Sequence, residues 1–289
     1  MSMLHRSVAR YFSFVKFSHT VFAMPFALIG YVIAIKQPGY EFSLRILLLV
    51  ILCMIFARNA AMGFNRLVDR KLDSINPRTK EREIPAGIIK PQEASVFIAL
   101  NSLFFIITAG FINRLTLFLA PVALAVILGY SLTKRITYLC HFILGLGLSL
   151  APIGAYISVT GIFDLLPLIY SFIVLSWVSG FDIVYALQDD LFDSENRLHS
   201  LPSSFGRKKA LVISAVAHII TIILVVTAGI EGSGNMLYWI GAFIFSGLLI
   251  YQHSIVKPDD LSRVNMAFGT TNGAASILFA CFVIIDMIK

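Results

Sequence analysis

Charged residues are scarce in this chain. Asp, Glu, Lys and Arg together make up 13% of its 289 residues, whereas 58% are hydrophobic; a soluble domain carries about 25% charged residues. So much apolar surface cannot be enclosed in one core surrounded by water. The composition therefore excludes a cytosolic enzyme, a secreted disulfide scaffold and a disordered regulator, and we expect an integral membrane protein in contact with the lipid bilayer.

Cysteine is also rare. The three cysteines, Cys53, Cys140 and Cys281, lie in separate apolar runs. Their spacing favours neither a disulfide framework nor a metal site. The sequence likewise contains no Gly-rich phosphate loop and no Ser-His-Asp arrangement, which excludes the common nucleotide-binding and serine-hydrolase classes.

Long apolar runs dominate what remains. A helix that crosses a bilayer needs roughly 20 mostly apolar residues, and nine runs qualify: 20–36, 44–64, 92–110, 115–132, 138–158, 165–185, 210–229, 236–255 and 265–286. Backbone groups in lipid must be hydrogen-bonded within the segment, and the alternating pattern of a barrel is missing. The sequence predicts an all-α bundle of nine transmembrane helices in a single domain, residues 1–289.

The basic residues are distributed asymmetrically over the loops. With the N-terminus placed in the cytoplasm, 18 of the 23 Lys and Arg residues fall on the inner side, four fall outside, and Arg58 lies within a span. This is the positive-inside pattern, which explains the net charge of +7 without nucleic-acid binding. We expect a multi-pass protein of the inner (plasma) membrane with the loops after the second and sixth spans in the cytoplasm.

Acidic residues follow the second span at helical spacing. Asn65, Asp69 and Asp73 are four residues apart. Each such step turns the side chain by only about 40° around a helix, so the three share one face. Stacked carboxylates repel each other, whereas a hard cation such as Mg²⁺ binds them together with water and phosphate oxygens.

A similar group follows the sixth span. Tyr185, Asp189 and Asp193 repeat the four-residue spacing, while Asp190 points elsewhere and is expected to be solvated. Two acidic faces on the same side of the membrane predict a site where Mg²⁺ ions hold one diphosphate. The predicted metal ligands are Asn65, Asp69, Asp73, Asp189 and Asp193, and the four aspartates are the predicted catalytic residues.

These motifs on nine spans resemble those of the UbiA superfamily of intramembrane aromatic prenyltransferases. The segments NPRTKEREIPAG, YSLTKR, LAPIGAYISVTG and YALQDDLFD are similar to the 4-hydroxybenzoate polyprenyltransferase branch and its menaquinone-pathway relatives, and the resemblance covers essentially the whole chain. It implies a helical bundle with a central cavity, capped by cytoplasmic loops that carry the two Asp motifs. It also implies Mg²⁺ as cofactor and transfer of a polyprenyl group from polyprenyl diphosphate to an aromatic carboxylic acid.

Several basic residues near the acidic faces are candidates for binding the diphosphate. Arg78 and Lys134 are favoured because they lie within the segments NPRTK and YSLTKR, which are similar to the family, and Arg135 is a third predicted diphosphate-binding residue. Arg70 and Lys71 lie on other faces of the first acidic helix and rank lower.

Arg58 is the one basic residue in the interior of a predicted span. It lies seven residues before Asn65, on nearly the same helix face and about 10 Å deeper. An intramembrane Arg normally faces a cavity or a partner. We therefore expect Arg58, with Tyr185 and Asp182, to bind the acceptor through its carboxylate, although a structural pair between Arg58 and Asp182 is an open alternative. His141 has no carboxylate at helical spacing and is expected to be a packing residue.

The sequence does not determine which aromatic acid is the acceptor. 4-Hydroxybenzoate would serve ubiquinone synthesis, and a dihydroxynaphthoate or futalosine-derived acid would serve menaquinone synthesis. A secondary transporter is the alternative of another class, but it predicts broken polar helices near the membrane midplane, whereas these acidic residues lie at helix ends.

Engineered cysteines test the predicted orientation. After the three natural cysteines have been replaced by alanine, a membrane-impermeant thiol reagent should label cysteines placed at positions 112, 162 and 232 in intact cells, because these lie in outside loops. Cysteines at positions 80 and 198 should react only after the cells are opened. Labelling of position 80 from outside would reverse the orientation.

Overall fold

The chain folds as a bundle of helices. The computed structural model describes Phe14 and residues 22–289, so Arg6, Arg10, Lys16 and the first two residues of the first predicted span lie outside it. In chain order the α-helices are α1 (Met24–Ile35), α2 (Leu44–Ile75), α3 (Pro91–Gly110), α4 (Arg114–Thr133), α5 (Cys140–Thr160), α6 (Leu165–Ala186), α7 (Asp190–Glu195), α8 (Leu201–Phe205), α9 (Arg207–Glu231), α10 (Met236–Ile255) and α11 (Asn272–Ile288). A 3₁₀ turn, Leu187–Asp189, precedes α7, and a π-helical turn, Met266–Thr271, precedes α11.

The predicted spans match these helices. Eight helical segments of the described chain are long and apolar enough to cross a membrane, with α7 continuing α6 and the π-helical turn continuing into α11. The apolar helix α1 is shorter, with 12 residues. Among the described residues, Phe14 and 22–289, the structure contains a single isolated β-bridge and no strand. The all-helical transmembrane bundle is confirmed.

Helix α2 extends beyond the membrane. It begins after Ser43, whose side chain accepts a hydrogen bond from the Ile46 amide at 3.4 Å, and it ends at Ile75. Its 32 residues make it about 48 Å long at about 1.5 Å per residue, against about 30 Å for the hydrocarbon core. Asn76 takes an extended conformation, as the residue before a proline prefers. The last turns of α2 therefore carry their acidic side chains outside the apolar layer.

Helix α6 is the centre of the bundle, with 14 of its 22 residues buried. Small residues let the neighbouring helices approach it closely. Ser176 forms a hydrogen bond of 2.8 Å with Thr221 of α9. On another face, Trp177 donates to the Asn272 side chain of α11 at 3.0 Å. Because α6 contacts helices on several sides, its C-terminal end has a fixed position in the bundle.

The second acidic helix is not continuous, contrary to the predicted four-residue spacing of Tyr185, Asp189 and Asp193. Helix α6 ends at Ala186, and the 3₁₀ turn separates it from α7. A 3₁₀ turn advances about 120° per residue instead of about 100°, so the three side chains no longer form one straight row. The hydrogen bond from Asn76 to Asp189, 3.2 Å long, joins this turn to the loop after α2.

The contact between α5 and α6 predicts one sensitive position. A methyl group added at Gly145 of α5 would lie 2.5 Å from the Leu175 carbonyl oxygen and 2.6 Å from the Ser179 hydroxyl of α6. We expect Gly145→Ala to lower the free energy of unfolding in detergent by about 1–3 kcal/mol, since the backbone of α6 must move. The matched control is Gly154→Ala in the same helix, where the added methyl group would meet no side chain and no other segment within 4 Å. Equal stability of the two variants would contradict this packing.

Candidate active site

A cavity of about 610 Å³ opens between helices α2, α4, α5 and α6. Most of its wall is apolar and is formed by residues such as Val50, Met54, Leu119, Val126 and Leu148. One end is polar, because the ends of α2 and α6 and the loop after α4 bring acidic and basic side chains together there. The cavity can therefore hold a molecule with a long apolar chain and a charged group at one end.

The first acidic face lies at the polar end of this cavity. Asn65 donates a hydrogen bond of 3.1 Å to Asp69, which confirms that residues four apart share a helix face. Asp69 also accepts from Arg135 at 2.6 Å. One turn later, both oxygens of Asp73 accept from Arg82, at 2.9 and 3.0 Å. All five side chains line the cavity.

The second acidic group faces the same space. Arg78 donates through Nε to Asp189 at 2.9 Å, and a second nitrogen of its guanidinium forms an ion pair with the other oxygen. Its third nitrogen donates to the Tyr185 hydroxyl at 3.0 Å. The Tyr185 ring stacks on Phe268, with ring centroids 4.0 Å apart. Asp193 is fully buried, and its carboxylate lies 2.7 Å from the Lys134 ammonium.

The three basic residues predicted from the sequence to bind the diphosphate all lie at the acidic end. Arg78, Lys134 and Arg135 each pair with a different aspartate. Burial alone lowers the pKa of the Lys134 ammonium, but the Asp193 carboxylate outweighs it and raises the pKa above that of an ordinary lysine. Lys134 is therefore a cation at neutral pH. Arg70, which ranked lower, donates to the Leu67 carbonyl oxygen and does not line the cavity.

The donor set suits a hard divalent cation together with a phosphate ligand. Carboxylate and amide oxygens are available from both acidic groups, and these are the ligands that Mg²⁺ prefers. Within the described residues, no three His, Cys, Asp or Glu side chains are close enough to form a metal site by themselves. A cation bound here would therefore need oxygens from another source, and a diphosphate supplies them.

Arg58 lines the same cavity, deeper than the acidic end. Its Nε is buried and has no hydrogen-bond partner in the part of the chain that the structure describes. The alternative pair between Arg58 and Asp182 is not among the ion pairs of the described residues; Asp182 instead contacts the ring nitrogen Nδ1 of His141 at 2.7 Å. His141, expected to be a hydrogen-bonded packing residue without a carboxylate at helical spacing, has a carboxylate partner on another helix. The two residues lie on neighbouring helices, a contact that spacing along one helix cannot predict.

Two further polar residues of the cavity were not predicted. Asn76 contacts Asp189, and Tyr130 lines the cavity together with Arg58, Asp69 and Asp182. Tyr130 lies four residues before Lys134, so the same spacing rule that identified the aspartates also applies to it. Asn76 lies two residues before Arg78 in the NPRTK segment.

The prediction that Asp190 is solvated is wrong. Its carboxylate accepts from Arg207 at 2.6 and 3.1 Å, and Arg207 also donates to the Pro258 carbonyl oxygen at 3.2 Å. These contacts join the loop after α6 to the loop after α10, and Asp190 does not line the cavity.

Comparison with known proteins agrees with this geometry. Residues 23–280 match the UbiA prenyltransferase family. The chain belongs to this family. A 4-hydroxybenzoate octaprenyltransferase from Aliivibrio fischeri is 27% identical over 235 residues, which are 81% of this chain and 82% of that protein. As a member of the family the chain is a membrane-embedded prenyltransferase, which confirms the resemblance found in its sequence.

Solved structures of the UbiA family share the fold. An apo UbiA homolog from Aeropyrum pernix K1 superimposes with a TM-score of 0.84 at 28% identity, over 93% of this chain and 98% of that one. A UbiA homolog from Archaeoglobus fulgidus bound to DMAPP and Mg²⁺ gives a TM-score of 0.75 at 21% identity, over 96% of this chain and 99% of that one. The second likeness concerns the fold alone.

Proposed function

We propose that this prenyltransferase transfers a polyprenyl group from polyprenyl diphosphate to an aromatic carboxylic acid such as 4-hydroxybenzoate, in respiratory quinone biosynthesis. The observation that carries the proposal is one cavity with three features: a charged end, an apolar body, and Arg58 on its wall. These match a diphosphate, an isoprenoid chain and a carboxylate. The relative from Aliivibrio fischeri, named for 4-hydroxybenzoate, supports this choice of acceptor.

The acidic end would hold the diphosphate through Mg²⁺. Asn65, Asp69, Asp73, Asp189 and Asp193 are the proposed ligands, since their oxygens face the cavity from both helix ends. When bound, Mg²⁺ supplies positive charge that stabilises the leaving pyrophosphate. The Archaeoglobus fulgidus homolog, solved with DMAPP and Mg²⁺, supports a divalent cation in this fold.

The basic side chains would stabilise the same leaving group. In the transfer, the bond between the prenyl C1 and the diphosphate oxygen breaks, and its electron pair leaves with pyrophosphate. A ring carbon of the acceptor forms the new bond to C1, and the ring then releases one proton. Arg78, Lys134 and Arg135 stand where the negative charge develops, and fixed cations there lower the barrier without having to reorganise.

Arg58 would bind the acceptor carboxylate. A guanidinium forms two parallel hydrogen bonds with a carboxylate, and Arg58 has no carboxylate within ion-pair distance in the described part of the chain. Asp182 and Tyr185 line the same cavity, and they would contact the acceptor ring and its hydroxyl group. A dihydroxynaphthoate or a futalosine-derived acid carries the same carboxylate and is the alternative acceptor, in menaquinone synthesis.

The proposed location is the inner (plasma) membrane, with the diphosphate end of the cavity facing the cytoplasm. The excess of basic residues in the loops after the second and sixth predicted spans supports this orientation. The chain would act as one membrane domain over residues 1–289.

Membranes that contain the protein should form a prenylated aromatic acid from Mg²⁺, a labelled polyprenyl diphosphate and 4-hydroxybenzoate, detected by mass analysis of the lipid product. Asp69→Ala and Asp193→Ala should lower the rate by about 10²–10³-fold, as expected for the loss of a group that stabilises the leaving charge. EDTA should abolish the product, and added Mg²⁺ should restore it.

Asp190→Asn is the matched control for these variants. Asp190 lies next to the second motif but pairs with Arg207 outside the cavity, so we expect a rate near that of the wild type. Product from a dihydroxynaphthoate but not from 4-hydroxybenzoate would assign the alternative acceptor. Full activity of Asp69→Ala, or full activity in EDTA, would contradict the role of the acidic residues.

Removal of Arg58 tests the acceptor site separately. Arg58→Ala should raise the KM for the acceptor about 10- to 100-fold, since a hydrogen bond to a charged group contributes about 1.5–3 kcal/mol, while the KM for polyprenyl diphosphate changes little. Arg58→Lys should recover part of the loss, because an ammonium cannot reproduce the planar guanidinium. Recovery of activity and stability in Arg58→Ala/Asp182→Ala would instead indicate a structural pair and reject the carboxylate role.

A further inference from the structure

His141 is a buried histidine at the wall of the cavity that the reaction described above does not use. It lies in the first turn of α5 and is 2% exposed. Its Nδ1 lies 2.7 Å from Oδ2 of Asp182 on α6. The Asp182 side chain keeps 22% of its surface exposed, and it lines the cavity together with His141 and Arg58. The contact therefore joins a buried ring to a carboxylate that a bound molecule can reach.

The second ring nitrogen determines which tautomer this contact requires. The backbone N–H of Leu201 donates to Nε2 of His141 at 3.3 Å. Leu201 is the first residue of α8, and the first N–H groups of a helix have no partner within it. Because Nε2 accepts this bond, it carries no proton, and the neutral ring has its hydrogen on Nδ1. His141 therefore donates to Asp182.

We propose that His141 is a positioning residue, which holds the Asp182 carboxylate in one orientation so that it accepts a hydrogen bond from the acceptor hydroxyl. This inference rests on the proposed function and adds the group that recognises the hydroxyl. The bond from Nδ1 occupies one oxygen of Asp182 and would fix its rotamer, and the second oxygen of this cavity-lining carboxylate would remain for a ligand. Arg58 would hold the carboxylate of the acceptor, and the pair His141–Asp182 would orient its hydroxyl.

A structural role through Leu201 is the competing explanation. The segment before α8 also contacts the charged end of the cavity: the Leu198 N–H donates to the Asp193 carbonyl oxygen at 2.8 Å, and the His199 N–H donates to that of Lys134 at 2.7 Å. Loss of the bond between Leu201 and His141 could therefore disturb the diphosphate site. Such a disturbance would weaken the binding of both substrates, whereas loss of the Asp182 contact would weaken the binding of the acceptor alone.

Two amide substitutions separate these contacts. The amide of Asn lies as many bonds from Cβ as Nδ1 does, so His141→Asn can still donate to Asp182 but cannot reach Leu201. The amide of Gln extends one bond further, to the place of Nε2, so His141→Gln can accept from Leu201 but does not reproduce the donor to Asp182. His141→Leu removes both contacts at similar volume. His218→Leu is the control, since His218 is also buried and bonded, to His253 and the Trp177 carbonyl, outside the cavity.

The experiment measures three constants in purified full-length protein: kcat/KM for 4-hydroxybenzoate, KM for polyprenyl diphosphate, and Ki for benzoate as a competitor that lacks the hydroxyl. In His141→Leu we expect kcat/KM for 4-hydroxybenzoate to fall about 10- to 100-fold, as for loss of one hydrogen bond to a charged group. Ki for benzoate and KM for the diphosphate should stay near their wild-type values. His141→Asn should recover part of the lost kcat/KM. His141→Gln should be as impaired as His141→Leu, and His218→Leu should keep a kcat/KM near that of the wild type.

Each other result has a distinct meaning. Unchanged kcat/KM in His141→Leu, a parallel rise of Ki for benzoate, or better recovery by His141→Gln than by His141→Asn would overturn the positioning role while the proposed function stands. Absence of any prenylated product from the wild type with every aromatic acid would overturn the proposed function, and this inference with it.

Discussion

Neutralisation of four carboxylates at the end of one cavity is the constraint on which the site depends. Four carboxylates close together, Asp69, Asp73, Asp189 and Asp193, would repel one another. Each of them instead forms an ion pair with an arginine or a lysine. Three of these pairs join different segments: the end of α2, the loop after α4, and the chain after α6. The same charges that would bind a metal diphosphate therefore also hold the loops of the site together.

The apolar body of the cavity imposes the second constraint. A charge inside the bilayer is costly, so Arg58 is stable there only because it faces the cavity and the polar groups on its wall. Its Nε has no partner among the described residues, which leaves hydrogen-bonding capacity for a ligand. The proposed acceptor site thus follows from a buried donor of Arg58 that has no partner among the described residues.

Close packing of the central helix α6 positions the residues on both the acceptor side and the diphosphate side of the cavity. Helix α6 contacts its neighbours through Ser176, Ser179 and Trp177, and it carries Asp182 and, at its end, the second acidic group. A shift of α6 would therefore move the acceptor side and the diphosphate side of the cavity together. The rigidity of this helix suits a reaction in which two substrates must meet within a fixed distance.

Local sequence was sufficient for the spans, the four-residue spacing of Asn65 and Asp69, and the basic residues near them, because each depends on helix geometry or on hydrophobic length alone. The family resemblance, confirmed over residues 23–280, followed from the same motifs. The 3₁₀ turn that interrupts the second acidic helix depended on the tertiary structure. So did two contacts between distant segments, Asp182 with His141 and Asp190 with Arg207. Their partners lie on other helices, and helix periodicity determines which face a side chain occupies but not which neighbour that face meets.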